Sequence, residues 1–301
     1  MSLYRAPACA VQDRTGVACR CCPAGISRST RHRPYPSDMT AAEWAVFEPV
    51  LPAPAWLAGR GGRPAGWCMR DVVDAIRYLT HNGPVWRALP ADFPPAWTVY
   101  YWARKWQADG STARMHDDLR ERVRMVAGRS PAPTAAVIDS QSVKGSEMVA
   151  RPGRGYDAAK KINGTKRHLA VDVLGLLLTV LVTAASVQDR DAARPLLWNL
   201  RRAFPQIRLA WADGGYAGKL ATWAKTALHL TIAIVKRPDD LHTFQVLPRR
   251  WVVERTLSWI TRHRRTVRDY ERLPGHHETY IYWAMITIMN RRLARTNPQT
   301  T

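Results

Sequence analysis

Apolar side chains recur at helical spacing in the first half of the chain and in short continuous runs in the second half. In the first half, four segments place apolar residues three or four positions apart, which predicts four helices. These segments are residues 40–51, 70–82, 98–109 and 112–127. Thr40 and Glu43 form a capping box at the start of the first segment, and Gly83 follows the second as a C-terminal cap. Short helices joined by tight turns predict a small all-helical domain of the helix-turn-helix type over residues 37–128.

The second half of the chain has the pattern of strands that alternate with helices. Short runs rich in Val, Ile, Leu and Ala predict strands, and Gly175 marks a hairpin turn between two of them. The predicted strands are residues 134–140, 168–175, 176–183, 207–212 and 229–235, and the predicted helices are residues 190–203, 216–227 and a segment from 249. This order indicates a mixed sheet with helices on its faces, the α/β class, over residues 135–301 after a Pro-rich linker at 129–134.

The first residues of the chain lack this periodicity. Residues 1–36 carry six Arg, one Asp and four of the five Cys, so we expect a disordered basic tail. Cys19 and Cys22 have the spacing of half a zinc site, but no second pair follows, and a loose tail is the favoured interpretation. Further on, residues 61–64 (Gly-Gly-Arg-Pro) fit either an arm for the minor groove of DNA or a plain loop.

The net charge of the chain restricts the possible classes of function more than its overall composition does. The chain has 301 residues, of which 46% are hydrophobic and 23% charged, as in an ordinary globular protein. Its 45 Lys and Arg against 24 Asp and Glu leave a formal charge of +21, which predicts a polyanionic partner, with nucleic acid as the first candidate. A membrane partner is not expected, because the longest apolar stretch, residues 280–289, covers about half of a bilayer span. Since the start has no signal-peptide core, we expect a cytoplasmic, nucleoid-associated protein.

Two carboxylates stand where burial should be costly. Asp139 ends the apolar run AAVI, and Asp213 ends the run IRLAWA. Both are predicted at the carboxyl ends of strands, where open α/β sheets bind their ligands. An unpaired buried carboxylate costs roughly several kcal/mol, so each needs a partner. A divalent cation serves both if the strands are neighbours, and Mg²⁺ accepts one or two carboxylates together with water and phosphate.

A third acid, Glu254, lies in the segment RRWVVERTLSWI. On a helix it shares a face with Arg250 and Ser258, whereas Val253 and Leu257 face the core. Glu254 therefore either looks across a basic groove or forms an ion pair with Arg250 on a solvated face. Spacing alone favours neither interpretation.

Five motifs, in this order, closely resemble those of DDE transposases from bacterial insertion sequences, in the IS-five grouping of the wider IS-four class. They are VIDSQSVK, RGYDAAKKINGTKRHLAVDVLGLLL, ASVQDRDAA, WADGGYAG and PRRWVVERTLSW. The segment from Tyr35 to Leu119 resembles the helical domain that precedes the catalytic domain in that family. The similarity covers residues 35–295.

This resemblance implies a ribonuclease-H-like catalytic core in which Asp139, Asp213 and Glu254 are the catalytic and metal-binding residues. Two Mg²⁺ ions, for which Mn²⁺ substitutes, would support the chemistry. The implied reaction is cleavage of double-stranded DNA at the ends of the element, followed by transfer of the cut strands to a target site. The implied assembly is a homodimer within the synaptic complex.

The signature around Glu254 matches the family in part. Arg250 stands where the wider class places an arginine four residues before the Glu. Leu247 replaces a typical Tyr and Thr261 replaces a typical Lys, with Arg262 as the nearest base. These departures affect the residues that handle phosphate and leave the three acids in place.

Basic residues in and around the motifs are the candidates for contacts with DNA. Arg104 and Lys105 lie on the outer face of the predicted helix at 98–109, which makes it the candidate recognition helix. The other candidates are Lys144, Lys160, Lys161, Lys166, Arg167, Arg250 and Arg262. The cluster at 160–168 fits a solubilising loop as well, but its closeness to Asp139 in sequence favours phosphate contact.

The remaining polar residues of the motifs are interpreted as structural. Asp189 or Asp191 caps a helix, Asp157 and Asp172 are structural or adjacent to DNA, and His168 is a polar residue at a strand end rather than a general base.

Two other functions stay open. A ribonuclease-H-like nuclease could use the same core, although it would not need the large helical domain. A catalytically inactive DNA-binding derivative is the other alternative, although the presence of all three acids argues against it.

Overall fold

The protein forms two compact units in a computed structural model that describes residues 31–56, 61, 66–235 and 251–296. Among the described residues, one unit comprises those up to Leu119 together with those from Ile286 to Thr296, and the other those from Arg120 to Met285. The division predicted from sequence, 37–128 and 135–301, kept the end of the chain with the second domain. Here the last residues belong to the first unit.

Some sequence predictions concern residues outside the described ranges. They are the basic tail over residues 1–30, the zinc half-site at Cys19 and Cys22, the arm at 61–64 apart from Gly61, and the residues Leu247 and Arg250.

The N-terminal unit is built from the helices that the periodicity predicts. They are α1 (Ala41–Phe47), α2 (Met69–Asn82), α3 (Ala96–Ala108) and α4 (Ser111–Val126), of which α4 continues into the second unit. The Thr40 hydroxyl accepts a hydrogen bond from the Glu43 backbone N–H at 3.1 Å, which confirms the predicted cap. Gly83 ends α2 with φ +67° and donates to the Leu79 carbonyl. All four helices predicted for this part of the chain are present.

Residues 31–36 pack onto this unit, so the disordered tail predicted for residues 1–36 is wrong at its C-terminal end. Arg33 donates to Asp71 at 3.0 Å and to Asp74 at 2.6 Å, and both acids lie on α2. Arg33 looked solvated because its partners lie about 40 positions away along the chain. Long-range ion pairs of this kind leave no local pattern in a sequence.

In the described part of the second unit, six strands form one mixed sheet. They are β1 (Ala135–Lys144), β2 (Gly155–Asp157), β3 (Ile162–Val171), β4 (Leu177–Ala184), β5 (Leu209–Ala212) and β6 (Thr231–Ile234). Apart from the short β2, which pairs with β3, the order is β4-β3-β1-β5-β6. β3 is antiparallel to β1 and β4, whereas β1, β5 and β6 are parallel. This is the strand order of a ribonuclease-H-like core, and the predicted α/β fold class is confirmed.

Five α-helices follow in the described part of the second half of the chain, and the last of them continues into the first unit. They are α5 (Asp189–Ala203), α6 (Lys219–Leu228), α7 (Trp251–Thr261), α8 (Arg264–Val267) and α9 (Pro274–Thr296). α5 packs on β3, β4 and α6, whereas α7 packs on β1 and β3. The core beneath α5 and α6 is made of Leu, Ile and Ala side chains, each large one of which stabilises the fold by roughly 1.5–3 kcal/mol on burial.

The end of α9 belongs to the N-terminal unit because its polar contacts lie there. Arg291 donates to the Pro36 carbonyl at 2.5 Å and lies 3.5 Å from the carboxylate of Glu43. Among the described residues, no helix combines the length and the apolar character that crossing a membrane requires.

Candidate active site

Asp139 lies on β1, and Asp213 directly follows β5, the parallel neighbour of β1. β1 and β5 pair with Val137 opposite Trp211. Two residues further, the same register brings Asp139 beside Asp213, and neighbouring strands are about 4.8 Å apart. Both side chains are half-buried. The sequence had predicted this pair from its two apolar runs.

Asp139 lies within its strand and not at its end, which corrects one detail of the prediction. β1 continues for five more residues, to Lys144, because β3 pairs with it along that whole length. Asp213 directly follows β5, as expected. The sequence did not predict the second half of β1, because the residues after Asp139 are mostly polar and do not form an apolar run.

The two carboxylates point to the same face of the sheet. Ile138 and Ala212, each one residue before an acid, pack in the core beneath α5 and α6. Side chains alternate between the faces of a strand, so Asp139 and Asp213 point to the opposite face. The site therefore lies on the side of the sheet away from α5 and α6.

Glu254 lies in the first turn of α7, and its side chain is exposed. Its neighbours Val253 and Leu257 are buried, as the sequence predicted. Among the described residues, no group of three or more His, Cys, Asp or Glu side chains is arranged to hold a metal ion. The structure thus places Asp139 and Asp213 together and Glu254 on a helix that packs against β1 and β3.

Tyr216 is a buried residue beside these acids that the sequence analysis did not single out. It ends the short 3-10 turn that follows Asp213. Burial raises the pKa of Tyr216 well above its usual value, and the negative charges of Asp139, Asp189 and Asp213 raise it further. The phenol of Tyr216 therefore stays neutral, and its ring packs in the core beneath α5 and α6. Its place in the motif WADGGYAG was the only signal in the sequence that could have identified it.

Lys166 is one of two predicted DNA contacts that the structure corrects. Its side chain is buried, and its ammonium group lies 3.1 Å from Asp189 and 3.4 Å from Asp157. It also donates to the Val187 carbonyl at 3.0 Å. Asp189 in turn accepts a hydrogen bond from Ser140 at 2.8 Å. Lys166 therefore balances two acids inside the protein, which leaves little of its side chain accessible to a phosphate.

Arg167 is the second correction, because its side chain has no exposed surface. The guanidinium donates to the Gln141 side chain and, at 2.9 Å, to the Thr266 carbonyl of α8. Burial lowers the pKa of Arg167 to about 10, so it stays charged at neutral pH. The charge run of this segment suggested a solvated cluster, but β3 pairs on both edges and turns these side chains inward.

The other basic candidates differ in their exposure. Arg104 is half-buried and donates to Gln107, and Lys105 is exposed with its ammonium group 4.8 Å from the ring centre of Trp102. Exposed candidates in the second unit are Lys144, Lys160, Lys161 and Arg262. These side chains are accessible to a partner.

Asp172 has the structural role that the sequence suggested. Its carboxylate is fully buried and pairs with Arg124. It also accepts hydrogen bonds from the backbone N–H groups of Leu174 at 2.9 Å and Leu176 at 2.8 Å. Asp172 therefore holds the turn between β3 and β4.

His168 is a neutral structural residue. It has no exposed surface, and its Nε2 lies 3.1 Å from the Thr183 hydroxyl. Burial lowers the pKa of His168 from 6.5 to about 4, which leaves the ring uncharged at neutral pH.

Protonation of His168 should destabilise the fold in acid. Because the unfolded chain binds this proton more readily, the contribution of neutral His168 is fully present above pH 6.5 and is lost as the pH falls through about 4. The loss amounts to about 3 kcal/mol. We expect His168→Asn to weaken the dependence of the unfolding free energy on pH, measured by chemical denaturation at pH 7.5 and pH 4.5. His229→Asn, the same chemical change at an exposed helix end with φ +49°, is the matched control.

Two protein-family models match this chain. The family model described as "Transposase DDE domain" matches residues 130–289, and the model described as "Putative transposase of IS4/5 family" matches residues 39–116. A protein of Burkholderia cepacia described as "Putative transposase for insertion sequence element IS402" is 30% identical over 129 residues. That match covers 39% of this chain and 59% of the relative, so the chain spans about three fifths of the length of the curated relative it matches.

One solved structure, described as the Mos1 mariner paired end complex with Mn, is 12% identical and covers 62% of each chain, with a TM-score of 0.28. A TM-score this low does not establish a common fold.

Proposed function

This chain belongs to the DDE transposase family, and from that membership we propose that it cuts double-stranded DNA at the ends of its own insertion sequence and joins them to a target site. The reaction class is phosphoryl transfer to water or to a DNA 3′-hydroxyl. The formal charge of +21 supports a DNA substrate, because cationic side chains that neutralise phosphates release counterions and so favour binding.

The observation that carries this proposal is the register that sets Asp139 beside Asp213 on one face of the sheet. Two neighbouring carboxylates repel one another unless a cation or a proton lies between them. Both side chains are half-buried, so solvent and a ligand reach them. A phosphate group of DNA and the cations that accompany it match such a site.

The donor chemistry of Asp139 and Asp213 fits a divalent metal ion, because both supply hard anionic oxygens. DDE transposases use divalent metal ions. We propose two Mg²⁺ ions, replaceable by Mn²⁺, which Asp139, Asp213 and Glu254 would hold. When bound, the ions supply charge neutralisation and activation of the attacking oxygen.

Backbone hydrogen bonds orient the two acids. Asp139 accepts from the Ser140 N–H at 2.8 Å, and Asp213 accepts from the Gly215 N–H at 2.8 Å. Each bond holds one carboxylate oxygen in place. Since its pKa is raised, Tyr216 stays protonated and adds no negative charge to a site that must receive a polyanion.

Cleavage of the DNA that flanks this reading frame tests the proposal. We expect that DNA to carry short inverted repeats bounded by a direct duplication of the target. The purified protein should cut at the repeats with Mg²⁺ or Mn²⁺ but not with Ca²⁺, whose looser coordination aligns the attack poorly. Cutting of unrelated DNA with equal efficiency would identify a general nuclease. Binding to the repeats without any cutting would identify an inactive derivative.

Contacts between α3 and DNA are the second part of the proposal. Lys105 is exposed on this helix, so Lys105→Ala should weaken binding to the repeats and reduce by about one the slope of log affinity against log salt. A salt titration of the full chain by fluorescence anisotropy measures this slope. Lys225→Ala removes an exposed lysine from α6 and should leave the slope unchanged. An equal effect of both substitutions would remove α3 from the DNA interface.

We further propose that two copies of the chain hold two element ends in one complex, at the nucleoid in the cytoplasm. Sedimentation of the protein with DNA repeats measures the stoichiometry, and a complex with one copy per pair of ends would contradict it.

A further inference from the structure

The helix that carries Glu254 is tied to the turn between β3 and β4. Arg255 donates to the Leu174 carbonyl at 2.9 Å, and the Thr256 hydroxyl donates to the Gly175 carbonyl at 2.7 Å. These two residues directly follow Glu254 on α7. These two hydrogen bonds therefore fix the position of this helical turn along the axis of α7 and its rotation about that axis. Glu254 lies in the same turn.

Arg255 is held from two more sides by aromatic rings. Its guanidinium carbon lies 4.5 Å from the ring centre of Trp251 and 4.8 Å from that of Trp259. The two tryptophans stand four residues before and four residues after Arg255 on the same helix. A planar guanidinium stacks on such rings, which a lysine ammonium does not do as well. The arginine therefore has little freedom to leave the Leu174 carbonyl.

The turn that receives Arg255 is itself rigid. The buried Asp172 accepts two backbone N–H groups of the turn and pairs with Arg124. Gly175 has φ +80°, and a Cβ atom there would lie 2.8 Å from the Thr256 hydroxyl and 3.3 Å from the Arg255 guanidinium. Only glycine permits this approach, so the turn and α7 behave as one unit.

We propose that Arg255 is a positioning residue for Glu254. It holds the first turn of α7 against the β3–β4 turn, so that the Glu254 carboxylate keeps one orientation toward the face that carries Asp139 and Asp213. A functional carboxylate must be held within roughly 0.5 Å of its working position, and partners of this kind typically change metal affinity or activity about 10–100-fold. The inference rests on the proposed function, in which Glu254 holds a metal ion.

The test compares Arg255→Ala and Arg255→Lys with the unchanged full-length protein. For Arg255→Ala we expect kcat of cleavage at the repeats to fall about 10–100-fold and half-saturation by Mn²⁺ to rise about tenfold, with half-saturation by DNA unchanged. Arg255→Lys should recover part of both losses, because a lysine reaches the carbonyl but stacks poorly. Binding of Mn²⁺ without DNA, followed by electron paramagnetic resonance, should weaken in the same order.

Arg202→Ala is the matched control, since Arg202 is an exposed arginine in the last turn of α5. It should leave every measured quantity unchanged. If Arg255→Ala lowers the melting temperature by more than that control, the comparison is made on Arg255→Lys, for which unchanged kcat and unchanged Mn²⁺ binding would overturn the proposal.

Other results separate this inference from the proposed function. If Glu254→Gln is inactive while Arg255→Ala keeps the full kcat and the full Mn²⁺ affinity, the positioning role is refuted and the proposed function stands. Weaker DNA binding with unchanged kcat would make Arg255 a DNA contact and also overturn it. Full cleavage by Glu254→Gln would remove the role proposed for Glu254 itself.

Discussion

Asp139→Asn and Asp213→Asn should each lower DNA cleavage by about a thousandfold or more. Each substitution keeps the size of the side chain but removes a negative charge from the adjoining pair on β1 and β5. Charge stabilisation at such a site contributes several kcal/mol, and about 4 kcal/mol corresponds to a factor of about a thousand in rate. Cleavage at the inverted repeats in a purified assay measures the effect. Binding to the repeats should survive, because α3 and the basic surface are unchanged.

Asp191→Asn is the matched control for this pair. Asp191 is an exposed acid in the first turn of α5, in the same unit, and it carries the same chemical change. Its loss should alter stability by no more than about 1 kcal/mol through the helix dipole and leave cleavage intact. Full activity of either active-site variant, or equal damage by the control, would show that the pair does not catalyse the reaction.

Arg33→Ala should lower the unfolding free energy by about 3 kcal/mol at pH 7.5. The substitution leaves Asp74, which has no exposed surface, with one ionic partner fewer. Breaking a buried pair by removing one member costs about 3–5 kcal/mol, and the remaining bond from the Met39 N–H at 2.8 Å keeps the loss at the low end. Calorimetry of the full chain measures it. Arg87→Ala, at an exposed site in the same unit, should change stability by less than about 0.5 kcal/mol.

The effect of Arg33→Ala should depend on pH. Burial raises the pKa of Asp74 to about 6, against the opposing charges of Arg33 and Arg77. Because the folded protein binds this proton more tightly, the contribution of Asp74 is fully present below pH 3.8 and is lost as the pH rises through about 6. Arg33 offsets part of that loss. The difference between the variant and the unchanged protein should therefore be larger at pH 7.5 than at pH 4.5, and a difference independent of pH would contradict the ion pair.

Local patterns in the sequence were enough for the helices of the first unit and for the pair of acids, Asp139 and Asp213. Helical spacing and the caps at Thr40 and Gly83 located the helices of the first unit, because these signals involve residues within one or two turns. The apolar runs before Asp139 and Asp213 located two strands and the acids that follow their buried residues. The sequence did not show that these two strands are parallel neighbours. The parallel pairing of β1 with β5 in the structure shows it.

Only the tertiary structure decided which basic side chains are buried and which are exposed. The local sequence does not distinguish the environment of Lys105 from that of Arg167. In the structure, Lys105 is exposed on α3, whereas Arg167 on β3 has no exposed surface. A charged side chain is buried when distant partners compensate its lost hydration, and for Arg167 one of them, Thr266, is 99 residues away.

The sequence by itself determined the class of the fold, the apolar runs that Asp139 and Asp213 follow, and the basic character of the protein. These properties depend on which residues follow one another and on their total charge. Tertiary structure alone decided that Arg33 and Lys166 are interior ion-pair partners, that β1 extends past Asp139, and that Arg255 ties α7 to the β3–β4 turn. Each of these depends on contacts between segments that are distant along the chain, and the free energy of such contacts is set by burial that no local window of sequence contains.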